Sequence, residues 1–174
     1  CTFSRVMKEK GIEDIVNAVK EVNEKYKKTI YSLDIYGPVD DQQTDWFDEL
    51  QKSFPDYIKY KGMVQFDKSV EVLKDYFFLA FPTRFYTEGI PGTILDAYAA
   101  GVPVVASKSE SFNDVVDDGL TGIGYEFADY KDLKQKLEHI YEKPNEIIDL
   151  KKSCVNKSEE YLPHVAIKVL MDEL

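Results

Sequence analysis

Two carboxylates, Glu88 and Asp96, flank a turn-rich stretch, Gly89-Ile90-Pro91-Gly92-Thr93, with seven residues between them. A helix is expected to start near Gly92. The amides of Gly92 and Thr93 would then lack intrahelical acceptors and, with the helix dipole, form an anion site. Pro91 offers no N–H, but its fixed φ suits the residue entering a helix. Gly89 and Gly92 let a ligand approach the backbone closely. Asp96 lies one turn in, about 6 Å along the axis at 1.5 Å per residue. Its two acceptor oxygens can grip a vicinal diol such as ribose. Glu88 precedes the helix and faces the other end of the same ligand. An anion between two acids requires positive charge, and the first turn of the chain, Arg5-Val6-Met7-Lys8-Glu9-Lys10-Gly11, offers Arg5 and Lys10. Those two side chains can bind a diphosphate and stabilise charge on it as it leaves. Together the groups fit a nucleoside diphosphate joined to a sugar.

These residues must be positioned by the elements around them. The apolar run 77–81 predicts a buried strand, 93–100 a helix stopped by Gly101, and 102–106 a second, uncharged strand. A strand–loop–helix–strand unit of this kind places the acids at the carboxyl edge of a sheet, where ligands of open α/β folds bind. Upstream, strands are expected over 2–7, 31–36 and 57–61. Helices are expected over 12–28, 42–54 and 67–76. Downstream come a small helix within 109–118, capped by Ser111 or Asn113, a strand over 122–127, and helices over 130–142, 145–160 and 165–174. The alternation predicts an α/β fold with a Rossmann-like, doubly wound parallel sheet of about six strands. Residues 1–174 read as a single domain without repeat or linker.

Composition narrows the function classes. The 174 residues carry 22 Lys and Arg against 32 Asp and Glu, a net charge of −10. That balance argues against a nucleic-acid partner, which needs a basic face. Two cysteines, Cys1 and Cys154, are too few for a disulfide scaffold or a Cys-rich metal site and point to a reducing compartment. No apolar run approaches the ~20 residues of a membrane helix, and no signal peptide is expected. The opening Cys1-Thr2-Phe3-Ser4 lacks an initiator Met and reads as the middle of a strand, so a piece of a longer protein is expected.

On these residues the chain resembles the C-terminal, donor-binding half of a GT-B, family 4 (group 1) retaining glycosyltransferase. That family has a Glu, seven residues, a second Glu, an Ala-rich helix end and a Gly-x-Pro-Val-Val strand. Here Glu88, Asp96 and Ala99-Ala100-Gly101-Val102-Pro103-Val104-Val105 correspond. The likeness extends back to Ser4-Arg5, Lys10-Gly11 and Gly37-Pro38, and forward to Val115-Val116-Asp117-Asp118-Gly119-Leu120-Thr121-Gly122. The resemblance implies that Arg5 and Lys10 meet the diphosphate, Glu88 the donor-sugar hydroxyls, the Gly92 and Thr93 amides a phosphate, and Asp96 the ribose. Gly62, Met63 and Val64 would wall the base. It implies no metal and no cofactor beyond the nucleotide-sugar donor. It further implies an N-terminal half that holds a saccharide or lipid-linked acceptor, and closing helices that cross back to that half. A cytoplasmic location, with the full enzyme at the inner face of a membrane, and a place in bacterial surface polysaccharide or glycoconjugate assembly follow as expectations. Two positions depart from the family pattern: Asp96 is one methylene shorter than Glu, and Pro91 replaces a usual Gly.

Other features read as structural. His139 and His164 lie in ordinary helical surroundings. Cys154 reads as a helix-face residue, and the many tyrosines as packing. The stripe Val165, Val169 and Leu170 is either a core face or an interface. A signalling receiver would need an acid pair where Phe3-Ser4-Arg5 stands, and a dehydrogenase a third glycine after Gly122-Ile123-Gly124. A nucleotide-binding module without transferase activity of its own is the remaining rival.

Overall fold

The computed structural model describes residues 1–165 and 167. Among the described residues six short strands alternate with eight named α-helices. In chain order these are β1 (Thr2–Phe3), α1 (Ile12–Tyr26), β2 (Leu33–Tyr36), α2 (Thr44–Lys52), β3 (Ile58–Gly62), α3 (Ser69–Leu73) and β4 (Leu79–Phe81). There follow α4 (Gly92–Ala99), β5 (Val104–Ser107), α5 (Phe112–Val115), β6 (Gly122–Tyr125), α6 (Tyr130–Glu142), α7 (Pro144–Ile148) and α8 (Lys151–Glu159). Among the described residues no helix is long and apolar enough to cross a membrane.

The expected sheet of about six strands is instead two three-stranded parallel sheets, β1-β2-β3 and β4-β5-β6. They abut where β1 meets β4. There Ala80 N–H donates to Cys1 O at 2.7 Å and Cys1 N to Phe78 O at 3.2 Å. The two sheets are thus joined by these bonds and not by a further ladder among the described residues. The expected strand over 2–7 breaks at Ser4, where Gly37 passes so close that a Cβ on it would lie 1.8 Å from Ser4 O. Pairing resumes only at the single bridge between Val6 and Val39. Across the seam the strands lie in the order β3-β2-β1-β4-β5-β6, the doubly wound Rossmann order.

Strands β4 and β5 are buried on both faces, which explains why neither carries a charge, whereas β3 exposes Lys59 and Lys61. Leu33, Ile35, Ala80 and Val105 face one apolar cluster with α1, α2 and α6. Their neighbours Tyr36, Leu79, Phe81, Val104 and Ala106 face a second, with Leu73, Ile94, Ala97, Tyr98, Phe112 and Cys154. The period-2 alternation within one strand thus supplies two cores. Helix α1 buries Ile12, Ile15, Val16, Val19 and Val22 at the spacing expected of it. Full burial of each such side chain contributes about 1.5–3 kcal/mol.

Helix ends follow local chemistry. Gly101 (φ 69) stops α4 as expected. Its N–H donates to Tyr98 O at 2.9 Å, and Val102 N–H donates to Ala97 O at 2.8 Å. That pair of bonds is a Schellman motif. The expected helix over 67–76 is a 3-10 turn, Phe66–Lys68, followed by the short α3, and the helix over 145–160 divides into α7 and α8. The expected final helix lies outside the described residues, apart from its first few positions, as do Val169 and Leu170.

Two predictions follow from this packing. Gly11 adopts φ +66, and a Cβ there would stand 1.8 Å from Pro82 O. Gly11→Ala should therefore destabilise the chain by on the order of 3 kcal/mol, read as a lowered urea midpoint. Cys154 is fully buried, and burial pushes its thiol up to about 12. Alkylation by iodoacetamide at mildly alkaline pH should be slow in buffer and fast in denaturing urea, since only the thiolate reacts.

Candidate functional site

The close approach of Gly11 to Pro82 brings the first βα turn against the loop that follows β4. Two further links hold them together. Arg84 N–H donates to Glu9 O at 2.8 Å, and the Arg84 guanidinium spans both oxygens of Asp14 at 2.7 and 2.6 Å. Hydrogen bonding to Asp14 raises the Arg84 pKa further above its ordinary value. With turn and loop fixed, Lys10 at the end of the Lys8–Lys10 3-10 turn reaches Glu88, its Nζ 2.6 Å from Oε2. Lys10 also lies 5.1 Å from the Phe85 ring centroid and 5.8 Å from that of Phe81, a cation–π setting that holds the ammonium in place.

Glu88 is secured from three sides. Thr83, itself buried, donates its hydroxyl to the same Oε2 at 2.8 Å while accepting from Phe85 N–H at 3.2 Å. Ser111 donates to the backbone carbonyl of Glu88, with Gly89 O a further 3.3 Å contact. Ser111 sits at the N-cap position of α5, as expected, but makes no cap bond there; its hydroxyl ties the Glu88 loop instead. Among the described residues no donor reaches Oε1 of Glu88, so that oxygen is the one offered outward.

Helix α4 starts at Gly92, as the sequence predicted, with Pro91 at its N-cap position and no side-chain cap. A Cβ on Gly89 or Gly92 would meet nothing within 4 Å, so packing within the chain does not demand a small residue at either place. The Thr93 hydroxyl is buried without a hydrogen-bond partner among the described residues. A buried hydroxyl left unpaired costs about 1–3 kcal/mol, which singles out this first turn. One turn on, Asp96 is half-buried, and its Oδ2 accepts from Ser69 Oγ at 2.6 Å.

The wall expected from Gly62, Met63 and Val64 ends β3. Gly62 takes φ +74, Met63 is 73% exposed, and Val64 packs on the second core cluster. Phe66, just beyond, is 95% exposed. Arg5 stands apart from the Lys10–Glu88 pair. Its side chain is 63% exposed and pairs with Asp40, after β2, at 3.6 Å. Such an exposed pair is worth at most about 1 kcal/mol and leaves the guanidinium free to be recruited. Among the described residues no three His, Cys, Asp or Glu side chains group as a metal site.

Sequence reasoning missed Thr83, Ser69, the Arg84–Asp14 clamp and the bond from Ser111 to the Glu88 loop. Each involves a polar residue at an element boundary, a weak signal; their partners lie 5 to 70 residues away and share no periodicity with them.

A doubly wound α/β body whose carboxyl edge joins a basic first turn to an acid-flanked helix start has the architecture of one half of a GT-B glycosyltransferase. More particularly, the chain belongs to the glycosyl transferases group 1 family, whose model matches residues 1–143. Among curated relatives, the alpha-monoglucosyldiacylglycerol synthase of Acholeplasma laidlawii is 29% identical over 170 residues, 95% of this chain and 40% of its own length. Among solved structures, Anabaena HepE in complex with UDP superposes with a TM-score of 0.83 at 18% identity, covering 99% of this chain and 46% of that one. The pneumococcal O-GlcNAc transferase GtfA, in complex with UDP and GlcNAc, does so with a TM-score of 0.78 at 21% identity, covering 99% and 34%. The chain therefore spans less than half the length of each of these proteins.

The Lys10–Glu88 pair is largely shielded, with side-chain exposures of 17% and 16%. Removing either partner alone should cost on the order of 1–3 kcal/mol, because the other charge is left partly buried. A double-mutant cycle of Lys10→Ala and Glu88→Gln in urea should give a coupling energy above about 0.5 kcal/mol that survives 0.5 M salt.

Proposed function

We propose that this chain is the donor-binding half of a retaining, metal-independent glycosyltransferase that takes a sugar from a nucleoside-diphosphate sugar. The observation that carries this reading is the meeting of Lys10 and Glu88 at 2.6 Å beside the uncapped start of α4, one turn from Asp96. Lys10 neutralises Glu88, so an anion at the Gly92 and Thr93 amides faces an ion pair rather than a bare carboxylate. The diphosphate would lie against those amides and the Lys10 ammonium, with Arg5 swinging from Asp40 to the same charge. Glu88, held through Oε2, would accept a sugar hydroxyl at Oε1. Asp96 would take the ribose, and Gly62-Met63-Val64 would wall the base.

In such a site Lys10, Arg5 and the helix amides stabilise negative charge on the diphosphate as the glycosidic bond breaks. The acceptor hydroxyl then attacks from the face the diphosphate leaves. UDP in the HepE and GtfA complexes supports uracil as the first base to try. The synthase relative supports a lipid-linked acceptor beside a saccharide one, and with it an enzyme working at a membrane surface. The acceptor would sit on a separate N-terminal half, so this chain alone should bind donor and transfer nothing.

Calorimetry of the chain against UDP, GDP and ADP in the presence of EDTA tests the reading. One of them should bind, and Lys10→Ala and Asp96→Ala should each weaken it roughly tenfold or more, about 1.4 kcal/mol. Undiminished binding in both variants, or binding abolished by EDTA, would overturn it.

A further inference from the structure

Asp96 does not stand alone on α4. Ser69, the first residue of α3, is only 5% exposed and has its Oγ 2.6 Å from Asp96 Oδ2. The same Oγ lies 3.1 Å from Phe66 O, but a hydroxyl has one proton, and the ionised carboxylate is the stronger acceptor at the shorter distance. The bond therefore runs from Ser69 to Asp96. Among the described residues no donor reaches Oδ1, which leaves one oxygen tied to the protein and the other open.

Position gives this bond a consequence. Ser69 closes the segment that begins at Gly62 and runs through the 3-10 turn Phe66–Lys68. The bond thus joins the stretch beside the base to the acid beside the ribose. An aspartate has two χ angles, and one oxygen locked by a buried donor fixes both. A carboxylate fixed in this way presents Oδ1 at one distance and direction, whereas a mobile one would average over several hydroxyl geometries.

We propose that Ser69 is a specificity-determining positioning residue of the ribose subsite: by holding Asp96 through Oδ2 it aims Oδ1 at a ribose hydroxyl and so sets discrimination between ribo- and deoxyribonucleotides. This rests on the reading of the site as a nucleotide-sugar pocket. Ser69 acts through Asp96 and need not touch the ligand. A residue of merely structural importance would, on removal, weaken all nucleotides alike. A residue that aims Oδ1 affects only ligands bearing the hydroxyl that Oδ1 meets.

The test uses the 174-residue chain and the best bound of UDP, GDP and ADP, with the 2′-deoxy and 3′-deoxy counterparts of that nucleotide. The unaltered chain should bind the ribonucleotide roughly tenfold more tightly than at least one deoxy form, as expected for loss of one hydrogen bond to a charged group. Ser69→Ala should lose most of that ratio by weakening the ribonucleotide and leaving the deoxy form unchanged. Ser69→Thr, which keeps the hydroxyl, should restore it. A ratio unchanged in Ser69→Ala, or equal weakening of every nucleotide, overturns the assignment while leaving the site reading intact. Absence of binding by any nucleoside diphosphate overturns both. Circular dichroism of Ser69→Ala at the assay temperature separates these outcomes from unfolding, and if that variant unfolds, Ser69→Cys, with its weaker donor and similar volume, replaces it with the same expected loss.

Discussion

The close passage of Gly11 beneath Pro82 is the constraint on which the rest of the carboxyl edge depends. The turn after β1 and the loop after β4 are neighbours because their strands abut at the seam between the two sheets. A side chain at position 11 would hold them apart. With glycine there, Arg84 can reach both Glu9 O and Asp14, and Lys10 falls on Glu88. The seam is also where the strand order reverses direction, so the crevice that doubly wound sheets use for ligands opens where these groups converge. Fold and site therefore share one origin.

What the sequence revealed was what periodicity and punctuation encode. The stripe of α1, the uncharged run of β5 and the stop at Gly101 all depend on residues within one or two turns of each other, and each lies where local pattern places it. That Lys10 and Glu88 share the carboxyl edge was legible, because both follow strands of one sheet order, but their direct pairing was not. Less was legible where a distant neighbour decides. The strand over 2–7 ends early because Gly37 passes Ser4, 33 positions away in the chain. β1 and β4 then meet through a few backbone bonds rather than a ladder, so the six strands form two sheets. Ser111 looked like a helix cap by type and position, yet its hydroxyl donates to the Glu88 carbonyl and accepts no bond from the first turn of α5. Local propensity is a weak prior wherever such tertiary partners compete.

Charge shows the same division between global and local. A net charge of −10 disfavours anion binding at long range, yet screening confines that field to roughly 8 Å at physiological ionic strength. Within that distance Lys10 stands against two aromatic rings, and α4 begins without a side-chain cap. Arg5 differs in kind. Solvated and loosely paired with Asp40, it can move to an incoming anion at small cost, while Lys10 is fixed beforehand. One cation preorganised and one recruitable lets the site be rigid where bonds must be aimed and mobile where a ligand must enter.

Both acids are held by one oxygen, and among the described residues no donor reaches the other. Thr83 and Lys10 take Oε2 of Glu88, and Ser69 takes Oδ2 of Asp96; Asp96 lies on α4 and Glu88 on the loop just before it. Of the seven intervening residues, Gly92 to Leu95 belong to α4 and Gly89 to Pro91 to the loop that Ser111 ties down, so a ligand meeting both oxygens must match the length these two pieces set. A shorter acid at position 96 is compatible with this scheme because α3 supplies a donor to anchor it, and the reach lost with one methylene is exchanged for a defined direction. Selectivity in such a pocket arises less from the number of polar groups than from how few positions each of them can occupy.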